Sequence, residues 1–273
     1  MVSHLIRMLS TCAVVGASLG VLSGSRAEAA DRLLDKDVKQ LIEQIKSARD
    51  RFDDELDDNA KHSRFRSPNG EVDVHQFLED FGDQIDRLKD RFKDDYSAST
   101  EARVVLQQAT SIDRFVHSQP PGTKGESEWT RLADHLKALA ATYGTTFPLP
   151  TDAPVRRLND KEVETAADGL ERGAEQLGKA IESAMKNDKS FDPVAGKSLV
   201  TQADQLSHGA KALREQLSDE KPSSAEAQRV LQQIAQLRAA VEGRALPSPI
   251  VNAWSALGSN IRIVSQAYGA GVP

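Results

Sequence analysis

The sequence predicts an all-α protein made of two tandem up-down-up-down four-helix bundles that follow a cleaved signal peptide. Three observations support this prediction. The second half repeats the first at a constant offset of 125 residues, apolar residues recur at helical spacing in each half, and the first 29 residues resemble an export signal. The predicted segments are a signal peptide (1–29), a first bundle (30–144), a proline-rich linker (145–154) and a second bundle (155–273).

The internal repeat aligns without a gap. Residues 32–144 and 157–269 are identical at 21 of 113 positions, which is far more than unrelated segments of this composition share. The longest identical run is Val105-Leu106-Gln107-Gln108, which returns as Val230-Leu231-Gln232-Gln233. The repeat extends upstream to Arg32, Leu33 and Asp35, which return as Arg157, Leu158 and Asp160. The repeat therefore indicates the duplication of one domain.

The first 29 residues are predicted to form a secretory signal peptide. Arg7 precedes a mostly apolar run from Met8 to Leu22, and Ala27-Glu28-Ala29 has the A-x-A pattern of a cleavage site. The apolar run is short and rich in Gly, Ser and Thr, which argues against a membrane anchor. We therefore expect export to the periplasm or the extracellular space, with no membrane span in the mature chain.

Composition excludes several kinds of chemistry and of partner. The only cysteine, Cys12, lies in the predicted signal peptide, so the mature chain has no thiol for a disulfide, a metal site or catalysis. The chain has a formal net charge of −6, and an acidic surface disfavours nucleic acid as a partner. We expect the partner to be another exported or envelope protein.

Four amphipathic helices are predicted in the first bundle. The first extends from Asp31 to about His62, and the second carries a heptad seam after a helix start at Ser67-Pro68. The third begins near Ser99, and the fourth spans the seam from Trp129 to Tyr143, with Gly144 as its C-cap.

The second bundle repeats these signals with smaller seam residues. Asp192-Pro193 marks the start of its second helix, a capping-box pattern at Ser223 marks the third, and the fourth runs from Trp254 to Tyr268. The small seam residues are Ala166, Ala167, Ala174, Ala203 and Ala210. Small residues allow helix axes to approach closely, so we expect a slimmer second bundle; if its helices stay apart, it holds a cavity.

The mature chain contains none of the common catalytic or cofactor motifs. It has no Glu-x-x-His pair, nucleophile-elbow pattern, phosphate-binding loop or H-E-x-x-H pattern. We therefore predict a non-enzymatic protein without a cofactor, although an envelope enzyme built from convergent carboxylates stays open. The most plausible weak metal patch is Glu71, His75 and Glu79, with a solvated surface pair as the favoured alternative.

The glutamines repeated beside the third-helix seam are the candidate partner-binding residues. They are Gln107 and Gln108 in the first half and Gln232 and Gln233 in the second. They either present a partner-facing strip twice or make contacts between helices. The predicted function is an exported structural or protein-interaction module with two linked bundles. The alternative is an envelope bundle that binds a metal, cofactor or lipid in the alanine-rich second core or at the acidic cluster 53–58.

Overall fold

The computed structural model describes residues 32–67, 70–242 and 244–269. The described chain is mostly helical, which confirms the all-α prediction. The predicted signal peptide, residues 1–29, lies outside the described residues. Within those residues, no helix combines the length and the apolar character needed to cross a bilayer.

Each half of the chain contains four main helices, if α9 and α10 of the second half are counted as one interrupted helix. In the first half the elements are α1 (Asp35–Glu55), α2 (Asp58–Lys61), β1 (Arg64–Ser67), β2 (Gly70–Asp73), α3 (Val74–Arg91), α4 (Ser99–His117) and α5 (Glu126–Thr142). In the second half they are α6 (Asp160–Asn187), α7 (Pro193–Ser218), α8 (Ser224–Val241), α9 (Ser248–Ala256) and α10 (Gly258–Ala267). Helix α1 contacts α3 and α5, and α4 contacts the same two helices; α6, α7, α8 and the α9–α10 pair form the equivalent ring.

Each ring of helices encloses its own hydrophobic core. The first core contains the aromatic side chains of Phe52, Phe81, Phe92 and Trp129, whereas the second is filled mainly by leucine and alanine. Two described residues cross between them: Leu34, which directly precedes α1, packs into the second core, and Val155, which precedes α6, packs into the first. The two halves are therefore joined by apolar packing as well as by the covalent chain.

Residues 56–73 depart from the predicted helices. Helix α1 ends at Glu55 because Leu56 is extended, and Asp57 then caps the short α2 by accepting a hydrogen bond from the Asn59 amide. The predicted helix start at Ser67-Pro68 is wrong, since Ser67 ends strand β1 of a two-stranded antiparallel sheet. Helix α3 instead begins at Val74, with the Asp73 carboxylate accepting from the Gln76 amide.

Two predicted features of the second half also differ. The Ser223 hydroxyl does not cap α8; it hydrogen-bonds the Tyr268 hydroxyl at 2.7 Å instead. The predicted fourth helix is interrupted at Leu257, whose amide donates to the Trp254 carbonyl three residues earlier, so that α9 and α10 meet at a tightened turn. Asp192 and Pro193 do start α7 as an N-cap and a first-turn proline.

The proline-rich segment 145–154 packs onto the first core. Phe147 and Leu149 are buried in it, and the peptide bond between Phe147 and Pro148 is cis. The Leu149 amide donates to the buried Thr110 hydroxyl at 2.8 Å. Buried side chains and a backbone hydrogen bond therefore hold this segment against the first half.

Glycines allow close helix contacts in the second half. A Cβ atom at Gly173 of α6 would lie 2.4 Å from Leu257 Cδ2, and one at Gly169 would lie 2.4 Å from Asn260 Nδ2. Both glycines face the region where α9 meets α10. Since Leu257 is almost fully buried, it has little freedom to move away from an added methyl group.

We expect Gly173→Ala to lower the free energy of unfolding by about 1–3 kcal/mol, because the methyl group overpacks this contact. The matched control is Gly258→Ala in α10, where an added Cβ would meet no atom within 4 Å. That control should leave the free energy unchanged or raise it by up to about 1 kcal/mol. Urea denaturation followed by circular dichroism measures both, and equal effects would contradict the close contact.

Candidate functional site

The two halves meet through a reciprocal set of buried charges. Arg32 donates to the Asp160 carboxylate and, at 2.9 Å, to the Leu158 carbonyl. Arg157 donates to the Asp35 carboxylate at 2.6 Å and to the Leu33 carbonyl at 2.8 Å. The second set of contacts is the first with every residue exchanged for its repeat counterpart. We call the four residues Arg32, Asp35, Arg157 and Asp160 the clasp.

The clasp also caps two helices. The Asp35 amide, at the start of α1, donates to Asp160 Oδ2 at 2.7 Å. The Asp160 amide, at the start of α6, donates to Asp35 Oδ2 at 2.8 Å. The first amides of a helix have no partner inside the helix, so a carboxylate placed there stabilises it. Each aspartate therefore stabilises the helix that begins in the other half.

The clasp is largely withdrawn from solvent. The side chains of Arg157 and Arg32 are 2% and 5% exposed, and those of Asp35 and Asp160 are 9% and 18% exposed. Burial raises the pKa of Asp35 above its ordinary value, against the opposing influence of the Arg157 charge. Burying a charge pair costs desolvation that its attraction must offset, so we infer that the clasp serves the specific arrangement of the halves more than net stability.

Reciprocal contacts of this kind define an approximate two-fold relation. In an isologous interface, residue i of one copy contacts residue j of the other, and j contacts i in return. The clasp satisfies this condition with the two halves in place of two subunits. The interface inside this single chain consequently has the contact pattern of a symmetric dimer.

Two tyrosines close the ends of the fourth helices beside the clasp. The Tyr143 hydroxyl donates to the Ser97 carbonyl at 2.6 Å, and the Tyr268 hydroxyl pairs with Ser223. Burial raises the pKa of both phenols above its ordinary value. The Arg32 guanidinium lies 5.8 Å from the centre of the Tyr268 ring. The glycine after each tyrosine has positive φ, as expected of a helix C-cap.

A half-open cleft of about 520 Å³ lies between the two halves at this junction. Its walls are mostly apolar and come from both fourth helices, from the segment before α1 and from the segment before α6. The charged residues that line it are Arg32, Arg156 and Arg157. The two tyrosines and the glycines that follow them complete the wall.

The repeated glutamines occupy two different environments. Gln107 and Gln232 are exposed on α4 and α8, whereas Gln108 and Gln233 are half-buried. The side-chain oxygens of the latter two are enclosed, without a hydrogen-bond partner among the described residues. A Cβ at Gly209 of α7 would lie 2.2 Å from the Gln233 oxygen, which shows how closely that amide is packed. Of the four repeated glutamines, Gln107 and Gln232 are therefore the two that are exposed to solvent.

The candidate metal residues are not brought together as a set. Glu71 lies on β2, because α3 begins only at Val74, so it does not share a helix face with His75. His75 Nε2 lies 3.5 Å from Glu79 Oε1, and both side chains are about half exposed. Within the residues that the structure describes, no group of three His, Cys, Asp or Glu side chains is placed to hold a metal ion.

The clasp and the cleft are the features that sequence reasoning missed as a site. A signal was present, since an identical arginine precedes the first helix of each repeat and an identical aspartate begins it. Most positions differ between the two halves, whereas these charged residues are identical. This identity suggests that they have the same structural role in both halves. Their pairing across the halves depends on how the halves are oriented, which periodicity does not show.

Comparisons of the chain with models of protein families, with curated proteins and with solved structures give no match.

We expect Asp35→Ala to lower the free energy of unfolding by about 3 kcal/mol, because it removes the 2.6 Å partner of the buried Arg157 guanidinium and leaves only Asp160, 3.8 Å away. Asp35→Ala combined with Arg157→Leu should recover part of that loss, since no unpaired charge remains. The control Asp94→Ala removes the exposed pair with Lys39 and should cost less than about 1 kcal/mol. Urea denaturation tests all three; additive losses in the double variant would contradict the buried pairing.

Proposed function

We propose that this protein is an exported, non-enzymatic interaction module made of two duplicated four-helix bundles. The observation that carries the proposal is the reciprocal clasp, which holds the two halves in a single relative placement. A chain held in this way presents corresponding surfaces of its two halves at a fixed separation and orientation. Such a chain suits a protein partner that itself offers two equivalent surfaces.

The duplication is supported by both sequence and geometry. The halves repeat without a gap, their helices contact each other in equivalent rings, and the clasp exchanges corresponding residues. A homodimer whose gene was duplicated and fused would leave this pattern, since an isologous interface becomes reciprocal within one chain. We infer that the single domain once bound a second copy of itself through the same contacts.

The exposed glutamines mark the proposed partner surfaces. Gln107 and Gln232 occupy corresponding positions on α4 and α8, and both face solvent. Two such surfaces on one rigid chain bind a two-fold partner with an avidity that can exceed the single-site affinity by about 10²–10⁴. The proposed partner is another exported or envelope protein.

Ligand binding is the second candidate function, and the junction cleft favours it. A volume of about 520 Å³ with mostly apolar walls lies within the range of small-molecule sites, which often form where domains meet. The alanine-rich second core is a weaker candidate, because its glycines bring α6 into close contact with α9 and α10.

Export predicts a defined mature mass. The protein purified from the host's exported fraction should have the mass of residues 30–273 in native mass spectrometry. A chain that keeps residues 1–29, or one found only in the cytoplasm, would contradict the proposed export. A tightly held metal or organic mass would favour the second candidate function over the first.

Partner binding predicts unequal effects of single and double substitutions. The partner is first captured from the host's envelope fraction on the wild-type chain and identified; its affinity is then measured by surface plasmon resonance. Gln107→Lys or Gln232→Lys alone should weaken apparent binding about 10²-fold, by removing one of two linked contacts, and the double variant should abolish it.

The control for this measurement is Gln76→Lys, which makes the same exposed change on α3. It should bind the partner as tightly as the wild-type chain does. A double variant that binds normally, or a control that loses binding equally, would show that the repeated glutamines do not mark the partner surfaces.

A further inference from the structure

We propose that the junction cleft binds an organic monoanion with an apolar body, such as an aromatic or medium-chain carboxylate. Its acid group would lie against the guanidinium groups of Arg156 and Arg157, and its apolar part against the fourth helices. This inference rests on the second candidate function and is independent of the proposed protein partner.

The charges that line the cleft favour an anion. Among the residues that the structure describes, Arg32, Arg156 and Arg157 line it and no carboxylate does, although the whole chain is acidic. The carboxylates of the clasp already pair with Arg32 and Arg157. Arg156 is exposed and forms no ion pair with any residue that the structure describes. One uncompensated cation in a mostly apolar cleft matches a single negative charge.

Other surface depressions of the described chain differ in this respect. Four of them mix carboxylates with basic residues. The carboxylates are Glu43 and Glu128 in one, Asp57 in the second, Asp50, Glu79, Asp83 and Asp86 in the third, and Glu126 in the last. The junction cleft differs from these four because its described lining holds arginines without a carboxylate.

Arg157 contributes charge to the cleft more than a direct hydrogen bond. Its side chain is almost fully buried, its Nη2 atom serves both Asp35 and the Leu33 carbonyl, and its Nε atom is enclosed by protein. We therefore expect the exposed Arg156 to hydrogen-bond the acid group, and a charge-assisted hydrogen bond is stronger than one to a neutral group.

The apolar wall accommodates the rest of the ligand. Ala138 and Ala141 present an exposed small-residue surface on α5, and Ala267 faces the cleft from the end of α10. Small side chains leave space between the fourth helices, which the halves themselves do not fill. A naphthyl ring or a short alkyl chain is small enough for a cleft of about 520 Å³.

Isothermal titration calorimetry of the full mature chain tests this proposal with 2-naphthoate and decanoate as probes. At least one should bind at a single site with a Kd below about 1 mM. Uncharged 2-naphthamide should bind at least about 10-fold more weakly than 2-naphthoate, because it lacks the charge that the arginines select. No detectable binding of either acid would overturn the proposal, as would equal binding of acid and amide.

Two variants locate the binding. Arg156→Gln should weaken acid binding about 10-fold or more, and Ala141→Trp, which fills the cleft from an exposed position, should abolish it. The control Arg114→Gln makes the same charge change at an exposed position on α4. Arg114 lies 15 residues, or about 22 Å, from Ser99 at the start of that helix. Equal loss in Arg114→Gln and Arg156→Gln would show general charge attraction and overturn the site. Partner capture by Arg156→Gln, measured separately, should stay normal even if acid binding is lost.

Discussion

Buried charge needs a partner, and this requirement fixes how the two halves are placed. Each arginine of the clasp has its nearest carboxylate in the other half, so a shift of either half would lengthen both of these buried contacts. Burial raises the pKa of Asp35 above its ordinary value even beside Arg157. We infer that the clasp acts mainly by excluding other arrangements of the halves, because burying a charge pair costs desolvation.

The functional features follow from that placement. Because the contacts are reciprocal, Gln107 and Gln232 occupy equivalent positions about one approximate axis. Because the fourth helices end at the same junction, they leave a cleft lined by arginines whose carboxylate partners do not line it. The two proposed partner surfaces, at Gln107 and Gln232, and the junction cleft lie on different parts of the chain. The two proposed functions are therefore compatible in one protein.

The sequence predicted the helices well where apolar residues keep a regular seam, as between Val74 and Phe92. It failed at Ser67-Pro68, whose sequence is typical of a helix start, because Ser67 ends strand β1. The break at Leu257 lies where Gly169 and Gly173 bring α6 close to α9 and α10. The clasp and the cleft could not be located, because both arise from the orientation of the halves, and local periodicity carries no information about that orientation.

The clasp also orders events during synthesis of the chain. Arg32 and Asp35 leave the ribosome early, but the carboxylate and guanidinium that they require are 128 and 122 residues further along. The start of α1 is therefore completed only after the second half has begun to emerge. A fragment of the chain that ends before Arg157 would lack both the carboxylate that caps α1 and the guanidinium that pairs with Asp35.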